Sequence, residues 1–295
     1  MCSSDLSIVI GMVAASGGAG FAVGFSGMLL GIVVGAAVVG YVSIWGPRTG
    51  LAAMPLGRLA FGALNFVPQV FLIFSLIAYD ALNDLIGVES LSTALGIPFF
   101  VALAVVLVIE VTVVIFGIPM MRTLGIAISL VMVVICAWLI VAAADAPPAQ
   151  GSADGSFPMG PFLLAVGLGL SSSLSWCVQA TDISRRLPVE TRAGGVVTWT
   201  FLGMAVPLTV MGLIGAWISS SAAMNDPMGT VFTLLGGGAT AAVALLVMGA
   251  SLATANALND FSAGLSLRQM GVPLPRIACS LLITTAGVTE IGRAH

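Results

Sequence analysis

The chain has 295 residues, 59% of them hydrophobic and 7% charged, with a mean hydropathy of +1.16. A water-soluble domain carries about a quarter charged residues, so a chain this apolar could not clothe itself in polar groups, and a soluble enzyme is excluded. Lysine is absent, all nine basic residues are Arg and the net charge is −3, which leaves neither a nucleic-acid-binding face nor a steering field.

The chain opens Met1-Cys2-Ser3-Ser4-Asp5 and closes Ile291-Gly292-Arg293-Ala294-His295. The codons ATC GGA AGA GCA CAC encode the closing five residues. Their reverse complement, GTG TGC TCT TCC GAT, reads as the opening five when GTG initiates. Both ends therefore fit one adapter-like DNA word read on opposite strands, and about 1–6 and 291–295 are set aside from fold reasoning as a fusion scar would be. The natural protein is expected to continue past both ends, with 1–295 an incomplete single transmembrane domain. Setting the ends aside discounts His295 and Cys2. Cys136, Cys177 and Cys279 remain, all within apolar segments, so neither a disulfide framework nor a His/Cys metal site is expected, and no cofactor is implied.

A bilayer core needs about 20 apolar residues per helix. The spans that meet this are roughly 7–23, 27–46, 65–88, 97–117, 121–144, 161–181, 193–219, 234–257 and 273–289, about nine with the first and last incomplete. Turn chemistry separates them at Trp45-Gly46-Pro47-Arg48, Gly117-Ile118-Pro119, Ala146-Pro147-Pro148, Asn225-Asp226-Pro227 and Gly271-Val272-Pro273. Arg48 and Arg58 follow the second span, Arg122 the fourth, Arg185, Arg186 and Arg192 the sixth, and Arg268 and Arg276 the eighth. The alternate loops carry Glu89, Asp145, Asp154 and Asp226 and no Arg. This bias predicts a multi-pass protein of the plasma (inner) membrane with its Arg-bearing loops, and the start of the chain, on the cytoplasmic side.

Polar side chains at membrane depth are functional candidates by default. In the third span Tyr79 and Asn83 share a helix face, an aromatic for a π-face beside an amide for an edge, suited to a flat heterocycle. A packing tyrosine with an interhelical amide bond fits the same spacing. Asp80 and Asp84 form a second pair turned about 100° away. Buried, they would serve proton coupling or an amine-bearing ligand. At a helix end they would face outside water, which is the reading taken for Asp84, while Asp80 stands open. Glu110, mid-way along the fourth span, suits either a proton relay or a protonated carboxyl bonded to a neighbouring helix. The sixth span places Gly167, Gly169, Ser171, Ser172, Ser173 and Ser175 at mid-depth. Such a stretch can unwind around a cavity or pack closely through small residues, with Trp176 as cavity wall or anchor. In the eighth span Thr254, Asn256 and Asn259 offer oxygens to a hard cation or a polar ligand edge. A helix terminus would explain them, and Asp260, as well.

Three motifs in register resemble the nucleobase–cation symporter family, in its purine–cytosine permease branch. They are Gly46-Pro47-Arg48-Thr49-Gly50-Leu51 with Arg58-Leu59-Ala60-Phe61-Gly62, then Ser175-Trp176-Cys177-Val178-Gln179-Ala180-Thr181-Asp182-Ile183-Ser184-Arg185-Arg186-Leu187-Pro188, then Asn256-Ala257-Leu258-Asn259-Asp260-Phe261-Ser262-Ala263-Gly264-Leu265-Ser266-Leu267. The resemblance implies an all-α polytopic membrane protein with a leucine-transporter-like five-plus-five inverted repeat, here truncated to about nine helices. It implies uptake of nucleobases or related heterocycles with H+ or Na+. The family's base-holding positions fall on Tyr79 (usually Trp), Asn83 and Trp176, with Asn259 or Asn256 on the base edge. Sodium-coupled members carry a Ser-Thr pair where this chain has Ala253-Thr254. A sodium ion would lie near Ala250 and Thr254, and the missing hydroxyl leans the choice toward protons, for which Asp80 and Glu110 are candidates. Arg186 replaces a family Tyr, and Asp80 and Asp84 lie outside the family pattern.

The expected function is secondary active symport of a cytosine- or purine-like base by alternating access. The alternatives are a proton-coupled carrier of small amine-bearing ligands, a non-transporting membrane protein, or an inactive truncation. With His295 set aside, and without Lys or a nucleophile–base pair, catalysis is not expected. Which base is carried and the oligomeric state stay open.

Overall fold

A computed structural model describes residues 6–144, 146–151 and 157–294. The expectations attached to Asp145, Asp154, Cys2 and His295 lie outside these residues. The described residues are helical and contain no strand. In chain order the helices are α1 (Leu6–Ala15), α2 (Gly20–Val42), α3 (Trp45–Thr49), α4 (Ala53–Phe61), α5 (Phe66–Leu95), α6 (Phe99–Phe116), α7 (Ile118–Ala143), α8 (Met159–Leu174), α9 (Cys177–Ser184), α10 (Ala193–Trp217), α11 (Ser221–Asn225), α12 (Pro227–Leu234), α13 (Gly238–Gln269) and α14 (Arg276–Ala294). Seven stretches are long and apolar enough to cross a membrane, and α1 and Arg276–Thr289 are shorter apolar helices. Lipid offers backbone groups no hydrogen bonds, so an apolar chain of this length satisfies them internally as helices.

The breaks follow local chemistry. Gly96 and Gly117 adopt φ of 65° and 72°, the left-handed region that a side chain rarely enters, and end α5 and α6. Pro227 opens α12 while the Asp226 carboxylate accepts from the Gly229 amide at 2.8 Å. Several bounds differ from the sequence expectation. The first helix stops at Ala15, because Gly17, Gly18 and Gly20 all take positive φ, and α2 starts at Gly20, so the anticipated gap after residue 23 lies within a helix. The eighth span continues to Gln269 rather than ending near 257, and the third reaches Leu95.

The packing has an inverted-repeat pattern. α1 packs on α10 and α2 on α8, α5 packs on α13, and α6 packs on α13 as α14 packs on α5. If α1, α2, α5 and α6 correspond to α8–α9, α10, α13 and α14, the first two contacts exchange, the third maps onto itself and the last two exchange. The short pair α3–α4 after α2 has its counterpart in α11–α12 after α10. Glycine makes the α2–α8 crossing close: a Cβ at Gly31 would strike the Val166 carbonyl, and one at Gly169 the Met28 carbonyl. Gly169 thus serves close packing, and α8 stays helical through Leu174, where the sequence left unwinding open. The break is a two-residue turn at Ser175-Trp176.

The Arg-bearing loops gather at one end. Arg58 donates to the Gln269 carbonyl at 2.7 Å, the Ala53 amide donates to Asp182 at 3.0 Å, Ser184 donates to the Ser43 carbonyl at 2.8 Å, and Arg276 lies over the Phe261 ring. At the other end Phe21 and Trp217 meet the 146–149 segment, and the Met228 amide donates to Glu89 at 3.0 Å. Large apolar side chains such as Phe71, Phe74, Val108 and Val133 point outward, as a lipid-facing belt requires.

Candidate functional site

A narrow cleft opens where α5, the Ser175-Trp176 turn, α9 and α13 meet. It is lined by Leu76, Tyr79, Asn83, Ser175, Trp176, Gln179 and Asn259, and its free volume of about 10 Å³ is that of roughly one water. Tyr79 and Asn83, one turn apart on α5, present ring and amide together, and the Tyr79 hydroxyl reaches Ser171 Oγ at 3.3 Å. Trp176 enters from the turn between α8 and α9.

Behind the cleft an amide network joins α5, α9 and α13. Gln179 Nε2 donates to Asn259 Oδ1 at 3.0 Å, and Asn259 Nδ2 donates to Asp80 Oδ1 at 2.9 Å. Asn83 Nδ2 donates to Asn256 Oδ1 at 2.8 Å, and Asn256 Nδ2 donates to Asp84 Oδ1 at 2.8 Å and to the Asp80 carbonyl at 3.0 Å. Two buried acceptors are left without partners, Asn83 Oδ1 and Gln179 Oε1, and both residues line the cleft. An unmet buried acceptor costs about 1–3 kcal/mol, which a ligand N–H would recover.

Four carboxyls lie deeper. Asp80, Asp84, Glu110 and Asp260 are at most 2% exposed. Asp260 is within hydrogen-bonding range of Asp80 and Glu110, and Glu110 of Asp84. The Thr284 hydroxyl donates to Asp260 Oδ2. Asp80 Oδ2, Asp260 Oδ1 and both Glu110 oxygens have no donor. Two unit charges 4 Å apart would repel by about 4 kcal/mol at an effective dielectric of 20. Among the described residues no three acids, cysteines or histidines are placed to hold a metal ion.

Tyr79, Asn83, Trp176 and Asn259 therefore share one cleft, whereas Asn256 is fully buried behind it, bonded to Asn83 and Asp84. Asp80 also lies behind, screened by Asn259. Asp84 does not face outside water: α5 runs eleven residues past it, and the side chain is 2% exposed. Nor are Asn256, Asn259 and Asp260 at a terminus, since α13 continues to Gln269 and buries them. Thr254 donates its hydroxyl to the Ala250 carbonyl at 2.8 Å within α13, beside the methyl of Ala253. Sequence reasoning gave no role to Gln179 or Thr284 and left Asp260 open to a helix-end reading. The signal for Gln179 and Asp260 was their place inside quoted motifs; Thr284 carried none.

The helix order and pairing together define a polytopic helical membrane protein with a leucine-transporter-like inverted repeat. The chain aligns over its full length with the solved structure of Mhp1, a nucleobase-cation-symport-1 family transporter in a closed conformation with bromovinylhydantoin bound, at a TM-score of 0.77 and 16% identity, covering 72% of that chain. The family model for permeases of cytosine/purines, uracil, thiamine and allantoin matches residues 6–291, and the chain belongs to that family, one of transporters and not of enzymes. It is 24% identical to the vitamin B6 transporter TPN1 of Saccharomyces cerevisiae, over 94% of this chain and 52% of that protein. It is also 24% identical to the putative purine-cytosine permease YxlA of Bacillus subtilis (strain 168), over 66% of this chain and 43% of that protein. The chain spans about half the length of the curated relatives it matches.

Proposed function

We propose that this chain carries the substrate site of a cation-coupled symporter for nucleobase-like heterocycles, working by alternating access. The ring lies between Tyr79 and Trp176, Asn83 and Gln179 accept its N–H groups, and Asn259 holds Gln179 in place and meets the base edge. The observation that carries this reading is the convergence of Tyr79, Trp176 and the residues of two donor-less buried carbonyls, Asn83 and Gln179, from two separated segments, on one cleft. The cleft's small volume requires its walls to part on binding, as helix rocking about a midplane site allows.

The coupling ion is H+ or Na+. Near Ala250 and Thr254 the neighbouring position is Ala253, whose methyl supplies no oxygen ligand, which favours protons. Direct capture of an amine by Asp80 is disfavoured, because Asn259 stands between it and the cleft. The membrane is the plasma (inner) membrane, with the Arg-rich end in the cytoplasm. Substrate class is tested by calorimetric titration of the 295-residue chain in lipid nanodiscs with cytosine, hypoxanthine, hydantoin and pyridoxine. Saturable binding of at least one flat heterocycle, with no heat from small aliphatic amines, is expected. Binding of amines alone would overturn the reading.

A further inference from the structure

We propose that Asp80, Asp84, Glu110 and Asp260 form one proton-binding site, and that the line Asp80–Asn259–Gln179 couples its occupancy to the base cleft. The inference rests on the cleft reading above for its coupling half only. Its geometry stands apart from that reading: Glu110 reaches in from α6, fully buried with both oxygens lacking a donor, toward acids on α5 and α13 whose own free oxygens, Asp80 Oδ2 and Asp260 Oδ1, lack one too. Hydrogen bonds elsewhere occupy Asp80 Oδ1, Asp84 Oδ1 and Asp260 Oδ2, so the orphaned oxygens are left for one another. Two acceptors satisfy each other only when one carries a proton. The ligand these atoms call for is H+.

Other groups do not supply the missing donors. α5 brings Asp80 and Asp84, α6 brings Glu110, α13 brings Asp260, and α14 brings the hydroxyls of Thr284 and Ser280, of which Ser280 donates to the Asp260 carbonyl at 2.9 Å. From α9 the approach is made by the neutral amide of Gln179. The donor geometry does not suit a metal among the described residues.

The coupling follows from the bonds. With its shared proton in place, Asp80 stays against Asp260 and holds Asn259, whose Oδ1 anchors Gln179 and leaves Gln179 Oε1 facing the cleft. When the proton leaves to water, only an O–H bond breaks. Two carboxylates then repel, Asp80 draws away, and Asn259 and Gln179 lose their fixed positions. Base and proton therefore bind more tightly together than apart, and the linkage is reciprocal. The parallel line Asp84–Asn256–Asn83 is pinned by the bond from Asn256 to the Asp80 carbonyl and is the rigid half of the pair.

Two measurements decide this. Infrared difference spectra of the wild-type chain in nanodiscs, without ligand, should show a protonated buried carboxyl that loses intensity as the solution is made alkaline. Asp80→Asn and Glu110→Gln should each reduce the band. A wild-type spectrum without such a band overturns the proton site, whatever the variants do. Cytosine affinity, or that of whichever probe above binds, should then fall about tenfold per pH unit where one proton is taken up per base. That slope should drop by at least about half in each single variant and below about twofold in the double variant. A wild-type affinity that follows sodium and ignores pH overturns the coupling while leaving the cleft reading intact. A titrating carboxyl band with no heterocycle bound sinks the cleft reading and the coupling with it, and leaves the proton site standing.

Discussion

Trp176, in the turn between α8 and α9, and Tyr79 on α5 both line the cleft. Aromatic stacking contributes about 1–3 kcal/mol per base in nucleic-acid binders. Trp176→Ala should thus weaken heterocycle binding about tenfold or more while Trp176→Phe keeps most of it, as calorimetric titration in nanodiscs would show; unchanged binding by the Ala variant removes the sandwich. Thr284 acts on a different quantity. Its hydroxyl is the donor recorded to the Asp260 carboxyl, so Thr284→Val leaves a buried oxygen unmet and should cost about 1–3 kcal/mol of stability. The readout is the melting temperature in detergent, and Thr284→Ser should restore it. The residue types at the cleft were legible in sequence as Tyr79 and Asn83 at i, i+4. Gln179 was not, because an amide on a short helix gives no sign of which neighbour it meets.

Among the elements, α2 and α8 depend on backbone contact. Gly31 and Gly169 each face the partner's main chain, whereas Gly167, two residues before Gly169, faces outward with open space beside it. Overpacking costs about 1–3 kcal/mol, so Gly169→Ala should lower the melting temperature clearly. Gly167→Ala, which gains helix propensity and meets nothing, should be neutral or raise it. Equal effects at the two positions would refute the crossing as described. The spacing of Gly and Ser in this span was plain in sequence. Whether it meant unwinding or contact depended on the helix opposite, and here Met28 and Ile32 of α2 occupy the space that an unwound segment would need.

For the whole molecule, the two halves place α3–α4 and the loops bearing Arg185 and Arg268 at one end, and α11–α12 with the 146–149 segment at the other. A cysteine placed at exposed Glu190, with native cysteines replaced, should react with an impermeant maleimide only in inside-out vesicles. One at exposed Gln150 should react only in right-side-out vesicles. The reverse pattern would invert the topology.

Composition alone set the chain in a bilayer, and its apolar runs of about 20 residues marked about nine helical spans, because a segment that long bonds its own backbone as a helix in lipid. Its motifs marked the family and most of the cleft. Tertiary structure decided which acids meet. Helical periodicity fixes a side chain's direction about its own axis, but not how far the helix continues or what stands opposite. Sequence alone reads Asp84 as a helix-end residue and leaves Asp260 open to the same reading; α5 runs on to Leu95 and α13 to Gln269, bringing both against Glu110.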